Sequence, residues 1–330
     1  MKEELGLKGS TEKLIPNLMR KNKYILHYQN LKFYLEQGLI LETIHRGMKF
    51  RQSKWLKPYV DFNSNMRAQA KDEFSKAFYK LLVNSIYGKT LQSPRHYRTV
   101  ELLTDDRLLR KRIAKSNFKR FQIFHENLVA VEFSPVNIKL DRPIFVGFSI
   151  LDLSKLTMGD FHYNFIKSNC GEKASLLLTD TDSFIYEFTN INPFDLMSKH
   201  EDLFDFSNLD KSHTLYSVKH AKCPGKFKIE TGNKIIKEFV GLRPKMYSVS
   251  FSNDTSERRA KGIARNVTKN ELTHEKYMDC LFNNTCYHST MRCIRCINHE
   301  LKTQSITKSS LSMFVDRLHS LSYGHYKIKS

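Results

Sequence analysis

Apolar positions change their period several times along this chain, and each change marks an element. Asn30 to Gly38 reads as a short amphipathic helix closed by glycine, and Leu39 to Phe50 then alternates as a strand does. From about Pro58 the pattern becomes helical, sets Phe74, Phe78, Leu81 and Leu82 on one face, and runs to Gly88. Residues 100 to 120 read as a second helical region. After Val129 the chain turns to strands, with one helix expected from Lys155 to Asn169. The apolar run Leu176-Leu177-Leu178 enters Asp180-Thr181-Asp182 and leaves through Phe184 to Phe188, which predicts a β-hairpin with acidic residues at its turn. No repeat or low-complexity linker interrupts the chain. The expected fold class is α+β, with carboxylates displayed at the edge of a sheet.

Charge narrows the range of partners. In 330 residues, 54 lysines and arginines face 34 aspartates and glutamates, a formal charge of +20. Neutralising phosphates releases condensed counterions, so such an excess favours a polyanion. Nucleic acid and anionic membrane both qualify. With no long apolar span, no secretory signal after Met1 and no lipidation motif, nucleic acid is expected and a membrane is not. Six cysteines are too sparse for a disulfide framework and agree with a reducing, intracellular compartment. The basic stretch Arg107, Arg110, Lys111, Arg112, Lys115, Lys119 and Arg120 reads equally as a solvated helix face or as a DNA contact.

Two aspartates flanking a small residue on a tight turn can cradle a divalent cation, because hard cations take carboxylate oxygens. Alone, Asp180-x-Asp182 is more simply a good turn. Upstream, however, Lys80, Asn84 and Tyr87 follow at spacings of four and three and share one helical face. A cation, an amide and an aromatic plane suit phosphate, hydrogen-bonding and stacking contacts to a nucleotide, and Gly88 permits close backbone approach. Arg67 and Lys71, read as one turn apart, would add two cations. The bland alternative puts Asn84 and Tyr87 in a core and the cations in water. Cys286, His288, Cys293 and Cys296 could hold zinc, but Met291 to Ile297 alternates like a strand and sets the last two cysteines on opposite faces.

Lys80-x-x-x-Asn84-Ser85-x-Tyr87-Gly88 followed by Asp180-Thr181-Asp182-Ser183 resembles the fingers motif and the second palm motif of family B DNA polymerases. Arg67 and Lys71 match that family's Arg-x-x-x-Lys pair, and Lys245-Met246-Tyr247 its lysine-x-tyrosine motif at the primer-holding edge of the palm. Nearly the whole chain is similar to the protein-primed polymerases of Polinton, or Maverick, transposons, including Trp55 to Tyr59, Gly225 to Lys228 and Gly324 to Lys327.

The resemblance implies a partial palm, helical fingers and a C-terminal thumb, divided as 1–57 palm or connecting remnant, 58–128 fingers, 129–250 palm with the catalytic hairpin and 251–330 thumb-like region. It implies that Arg67, Lys71 and Lys80 bind the triphosphate of a dNTP, that Tyr87 packs at the nascent base pair and that Asn84 supports the pocket. Asp182 would hold catalytic magnesium with Asp180 beside it, while Gly88, Thr181, Lys245 and Tyr247 would meet primer–template DNA. A terminal protein as primer, a role in replicating a mobile element, and a nuclear location in a eukaryotic host are further implications.

The chain also departs from the family. No D-x-x-x-L-Y-P motif, which supplies another metal-binding aspartate, precedes Lys80; Asp61-Phe62-Asn63 lies too near the fingers residues to replace it, and the proofreading exonuclease is not found. Leu178 stands where many members have tyrosine. The expectation is therefore a DNA-directed DNA polymerase lacking part of its metal site. The alternatives are an inactive DNA-binding relic and a metal-dependent nuclease or phosphatase built on Asp180 and Asp182.

Overall fold

The computed structural model describes residues 20–221, 223–297 and 300–313. It divides into two compact units, one of residues 25–156 with 296–301, the other of 157–295 with the described residues of 1–24 and 302–330.

In the first unit, α1 (Tyr28–Glu36) forms where the amphipathic pattern predicts, and Gly38 ends it with a positive φ of 87°. Leu39 to Phe50 then forms no strand, and Leu39, Ile40, Ile44 and Met48 are all exposed. An alternating sequence is a strand only when a partner takes its backbone hydrogen bonds, and none of the described strands pairs with it. The helical stretch after Pro58 is two helices, α2 (Lys57–Gln69) and α3 (Glu73–Thr90). The break has a local cause. Ala70 turns extended, and the Asp72 carboxylate accepts the Ser75 N–H at 2.7 Å, which caps a new helix. That hydrogen bond also holds the Asp72 carboxyl below its usual range.

The basic region expected to be one helix is strand, helix and strand: β1 (Thr99–Leu103), α4 (Asp106–Ile113) and β2 (Phe118–His125). Both strands pair antiparallel with β3 (Leu128–Phe133), which lies between them. Val129, Val131 and Phe133 form a small core with Leu103, Leu109 and Phe118; pairing with β3 draws Lys119 and Arg120 into a strand, while Arg107, Arg110, Lys111 and Arg112 stay helical in α4. The next helix, α5 (Ile144–Asp160), begins well before the expected Lys155. Buried Asp152 of α5 ties down α1: its carboxylate accepts the His27 N–H at 2.6 Å, and its carbonyl accepts from the Asn30 side chain at 2.7 Å.

In the second unit a π-helical turn (Phe161–Lys167) and a short helix α6 (Ser168–Cys170) lead to β4 (Ala174–Asp180) and β5 (Ser183–Phe188), the predicted hairpin. Phe161, Phe165 and Ile166 pack with the β5 rings Phe184, Tyr186 and Phe188 in an aromatic core. Beyond α7 (Pro193–Ser198), the strands β6 (Phe204–Asp205) and β7 (Phe227–Lys228) run parallel, and the Phe227 ring lies 3.7 Å from that of Phe161. Next come β8 (Ile236–Arg243), β9 (Met246–Phe251) and β10 (Ser256–Ala260), an antiparallel sheet with β9 central. Helices α8 (Arg265–Asn270) and α9 (His274–Asn283) follow, and α9 buries Tyr277 and Cys280 against Val240, Met246, Leu272 and Leu311. The long hairpin of β11 (Tyr287–Ile297) and β12 (Glu300–Leu311) closes the described fold. The expected α+β class holds, while Gly324 to Lys327 lies outside the described residues.

Candidate functional site

The nucleotide-facing residues read from sequence lie in the first unit. Lys80, Asn84 and Tyr87 fall within α3, so their spacing does set them on one helical face; Lys80 and Asn84 are exposed and Tyr87 is half-buried. Neither Asn84 nor Lys80 is in a core. Arg67 is exposed in the last turn of α2. Lys71 is not one turn further on the same helix, as expected, but in the link between α2 and α3, because Asp72 caps the new helix directly after it.

Two neighbouring lysines are paired with acids. Lys57 pairs with Asp61 and Lys76 with Glu73, which occupies the acidic side chains of the two helices. Among the described residues Arg67, Lys71 and Lys80 have no carboxylate partner. Asp61 is thus a helical residue held by a lysine. The apolar face expected to pack is instead open, with Phe74 79% exposed and Leu81 65% exposed.

Position of α3 depends on one glycine. Gly147 of α5 is buried, and a Cβ there would lie 2.4 Å from Thr90 Oγ1 and 2.6 Å from Leu91 Cγ. Only the absence of a side chain lets α5 and the end of α3 approach this closely. Thr90, in turn, donates from its hydroxyl to the Tyr87 carbonyl at 2.8 Å.

The acidic hairpin turn and the lysine-x-tyrosine motif lie in the second unit. Asp180 pairs with Ser183 at the end of the hairpin, leaving Thr181 and Asp182 as the loop. The Asp182 N–H donates to the Asp180 carbonyl at 2.7 Å, closing a three-residue γ-turn around Thr181, whose φ is +59°. A β-branched residue in left-handed backbone is a true outlier and carries roughly 1–3 kcal/mol of strain. The result is an exposed Asp182 beside a half-buried Asp180.

Lys245 also has a positive φ, +61°, in the two-residue turn between β8 and β9. Its ammonium donates to both carboxylate oxygens of Asp180, at 2.6 and 2.7 Å. Tyr247 is half-buried on β9, opposite Gly241, with its ring 5.9 Å from that of Phe239. The family resemblance implies a primer contact for Lys245, and the sequence gives no sign of its pairing with Asp180. The two stand 65 residues apart, a separation that no local spacing encodes.

The donor set fits a hard cation in part. Both acids offer carboxylate oxygens, and an ammonium already occupies Asp180, so the turn attracts positive charge. Among the described residues no group of three or more His, Cys, Asp or Glu side chains forms a metal cluster, at this turn or at the cysteines. Cys293 and Cys296 do fall on one strand, β11, at a spacing that sends them to opposite faces.

A second set of charged groups, missed by sequence reasoning, sits in the first unit. Glu132 of β3 is 2% exposed and accepts from Arg120 Nε at 2.6 Å. Arg98 Nη1 and Lys119 Nζ approach its other oxygen at 2.9 and 3.7 Å as ion pairs, without adding a hydrogen bond. One buried carboxylate therefore organises three cations. A single acidic residue inside the continuous apolar run Leu128 to Phe133 was the available signal.

Over residues 8–168 the chain matches the family model for DNA polymerase type B, organellar and viral. The match spans just under half of the chain, includes Arg67, Lys71, Lys80, Asn84 and Tyr87, and ends before Asp180. Over that stretch the chain is similar to DNA polymerases of the organellar and viral type B kind, in agreement with the family B resemblance of its motifs. Neither the curated proteins nor the solved structures give a match. Among the described residues no helix is long and apolar enough to cross a membrane.

Proposed function

We propose that this chain carries the nucleotide-binding and primer-handling parts of a protein-primed, type B DNA-directed DNA polymerase of a Polinton-like mobile element. The observation that carries the reading is the placement of Arg67, Lys71 and Lys80, without carboxylate partners among the described residues, around α2 and α3, accompanied on α3 by Asn84 and Tyr87, inside the stretch that matches the polymerase family. Unpaired, solvated cations can be given to a triphosphate without first breaking an ion pair. In this reading Arg67, Lys71 and Lys80 hold the phosphates of a dNTP, Tyr87 packs at the nascent base pair and Asn84 supports it. Gly88, Thr181 and Tyr247 lie along primer–template DNA, and the primer is supplied by a terminal protein.

Asp182, with Asp180 beside it, would hold magnesium, which when bound stabilises charge on the attacking and leaving oxygens of phosphoryl transfer. The strained turn keeps Asp182 at the exposed tip of the hairpin. Two carboxylates from one turn suffice for one loosely held ion, whereas a two-ion site needs a carboxylate from a second strand. The expected location is nuclear in a eukaryotic host.

Fluorescent dNTP binding and primer extension test the reading. Lys80→Ala is expected to weaken dNTP binding tenfold or more, as loss of a charge-assisted phosphate contact of about 1.5–3 kcal/mol requires, and to spare duplex binding. Extension that depends on Asp182 is expected once a segment bearing D-x-x-x-L-Y-P is joined upstream of Met1. Equal loss of dNTP and duplex binding in Lys80→Ala, or no Asp182-dependent extension by the joined protein, would refute it.

A further inference from the structure

Lys245 stands at a point where its own backbone chemistry argues against it. The second position of a two-residue turn with positive φ suits glycine or asparagine, yet it holds a long cationic side chain. The backbone around it is fixed: the Lys245 carbonyl accepts the Lys261 N–H at 3.0 Å, and the next residue, Met246, is 1% exposed in the core of the unit. The side chain is half in solvent, and among the described residues its ion-pair partner is Asp180. An anchored backbone with a solvated, pivoting ammonium is the arrangement of a group that can change partners.

We infer that Lys245 is the counter-cation of the Asp180-Thr181-Asp182 turn and competes with a divalent cation for Asp180, so that ion arrival and lysine release are one linked event. The inference rests on the proposed function for the identity of the ion. Lys245 sits on both oxygens of Asp180 at 2.6 and 2.7 Å. A magnesium or manganese ion bound at about 2.1 Å to the same carboxylate would lie within about 5 Å of the ammonium, with charges of the same sign facing each other. The weaker ligand leaves. Once released, the ammonium is available to a phosphate, and by linkage a phosphate that captures Lys245 tightens ion binding by the same factor. The turn would then bind its ion and its nucleic acid cooperatively, with Lys245 as the coupling element.

Manganese alone is the probe, with free Mn2+ followed by electron paramagnetic resonance in titrations of the full chain without DNA or nucleotide. Lys245→Gln is expected to tighten Mn2+ binding by roughly two- to fivefold, the range open to a half-exposed ion pair. Lys245→Arg should leave it near the native value. Lys237→Gln, which removes an exposed charge from the neighbouring strand β8, should change it far less than Lys245→Gln, separating local competition from net charge. With Asp180→Asn the effect of Lys245→Gln should vanish. A second readout needs no variant: acetylation of Lys245 by acetic anhydride, measured by mass spectrometry, should rise when Mn2+ is added. Equal, Asp182-dependent affinity in the native chain and Lys245→Gln overturns the inference and leaves the polymerase reading intact. No Asp180- or Asp182-dependent Mn2+ binding in any form overturns the inference and removes the metal site from the polymerase reading as well.

Discussion

Gly147→Ala tests whether the end of α3 is held by close approach of α5. In an isolated helix the exchange would help, since alanine is favoured over glycine by about 1 kcal/mol. In this fold the new methyl meets Thr90 Oγ1 at 2.4 Å and Leu91 Cγ and Cδ2 at 2.6 and 2.9 Å, distances at which something must move. Thr90 is 5% exposed and cannot swing into water, so overpacking of roughly 1–3 kcal/mol is expected. Displacing its hydroxyl also gives up the bond to the Tyr87 carbonyl, worth about 1 kcal/mol. The net expectation is a loss of about 1–3 kcal/mol against the helix-propensity gain. Urea unfolding with an unchanged slope would read it, and hydrogen exchange of a peptide containing α3 would localise it. Adding Thr90→Ala removes the nearest obstacle and should recover about 1 kcal/mol, a coupling that independent sites would not show. A Gly147→Ala midpoint at or above the native value would refute the reasoning.

Glu132→Gln should destabilise the first unit by about 1–2 kcal/mol in urea unfolding, less than a fully buried ion pair would lose, because Arg98, Lys119 and Arg120 are all partly exposed and can return to water; an unchanged midpoint would show that the cations do not depend on it. Burial raises the hydroxyl pKa of Tyr277, which donates to the Arg259 carbonyl at 3.0 Å, above its usual range. Its folded pKa exceeds its unfolded value, so its contribution is fully present below about pH 10 and is lost as pH rises further. Alkaline unfolding followed by circular dichroism should therefore be less steep above that pH in Tyr277→Phe. Thr181→Gly relieves left-handed strain and should stabilise the hairpin by about 1 kcal/mol after the entropy of the added glycine is subtracted, whereas a lowered thermal midpoint would mean the turn is unstrained.

What the sequence revealed and what it hid follow one division. Elements set by local chemistry were legible: α1 with Gly38 behind it, the hairpin around Asp180 and Asp182, and the helical face of Lys80, Asn84 and Tyr87. Elements set by a distant partner were not. Leu39 to Phe50 alternates like a strand but is not paired with any described strand, whereas Phe118 to Arg120, the end of the stretch read as helical, opens a strand that pairs with β3. The break before α3 is intermediate. Asp72 followed by Ser75 is a local cap, but the continuing apolar period around it concealed the signal. The Lys245–Asp180 pair was beyond any local reading, although both partners had been singled out separately.

The two turns of the second unit support a stronger argument than either alone. Thr181 and Lys245 both adopt left-handed backbone where glycine or asparagine would be easier, and both occur at the points where the β4–β5 and β8–β9 hairpins meet through the Lys245–Asp180 pair. Local rules are broken where a structure is over-determined by its surroundings, and such breaks gather at sites with a task. Stability alone does not account for them, since a half-exposed ion pair contributes at most about 1 kcal/mol and does not offset two strained residues. Glycine at both positions would make a more stable pair of hairpins and a different surface: no ammonium against Asp180, and a floppier carboxylate at Asp182. The strain therefore buys position, holding one cation and two carboxylates at a solvent-facing edge where a diffusing, charged partner can reach them.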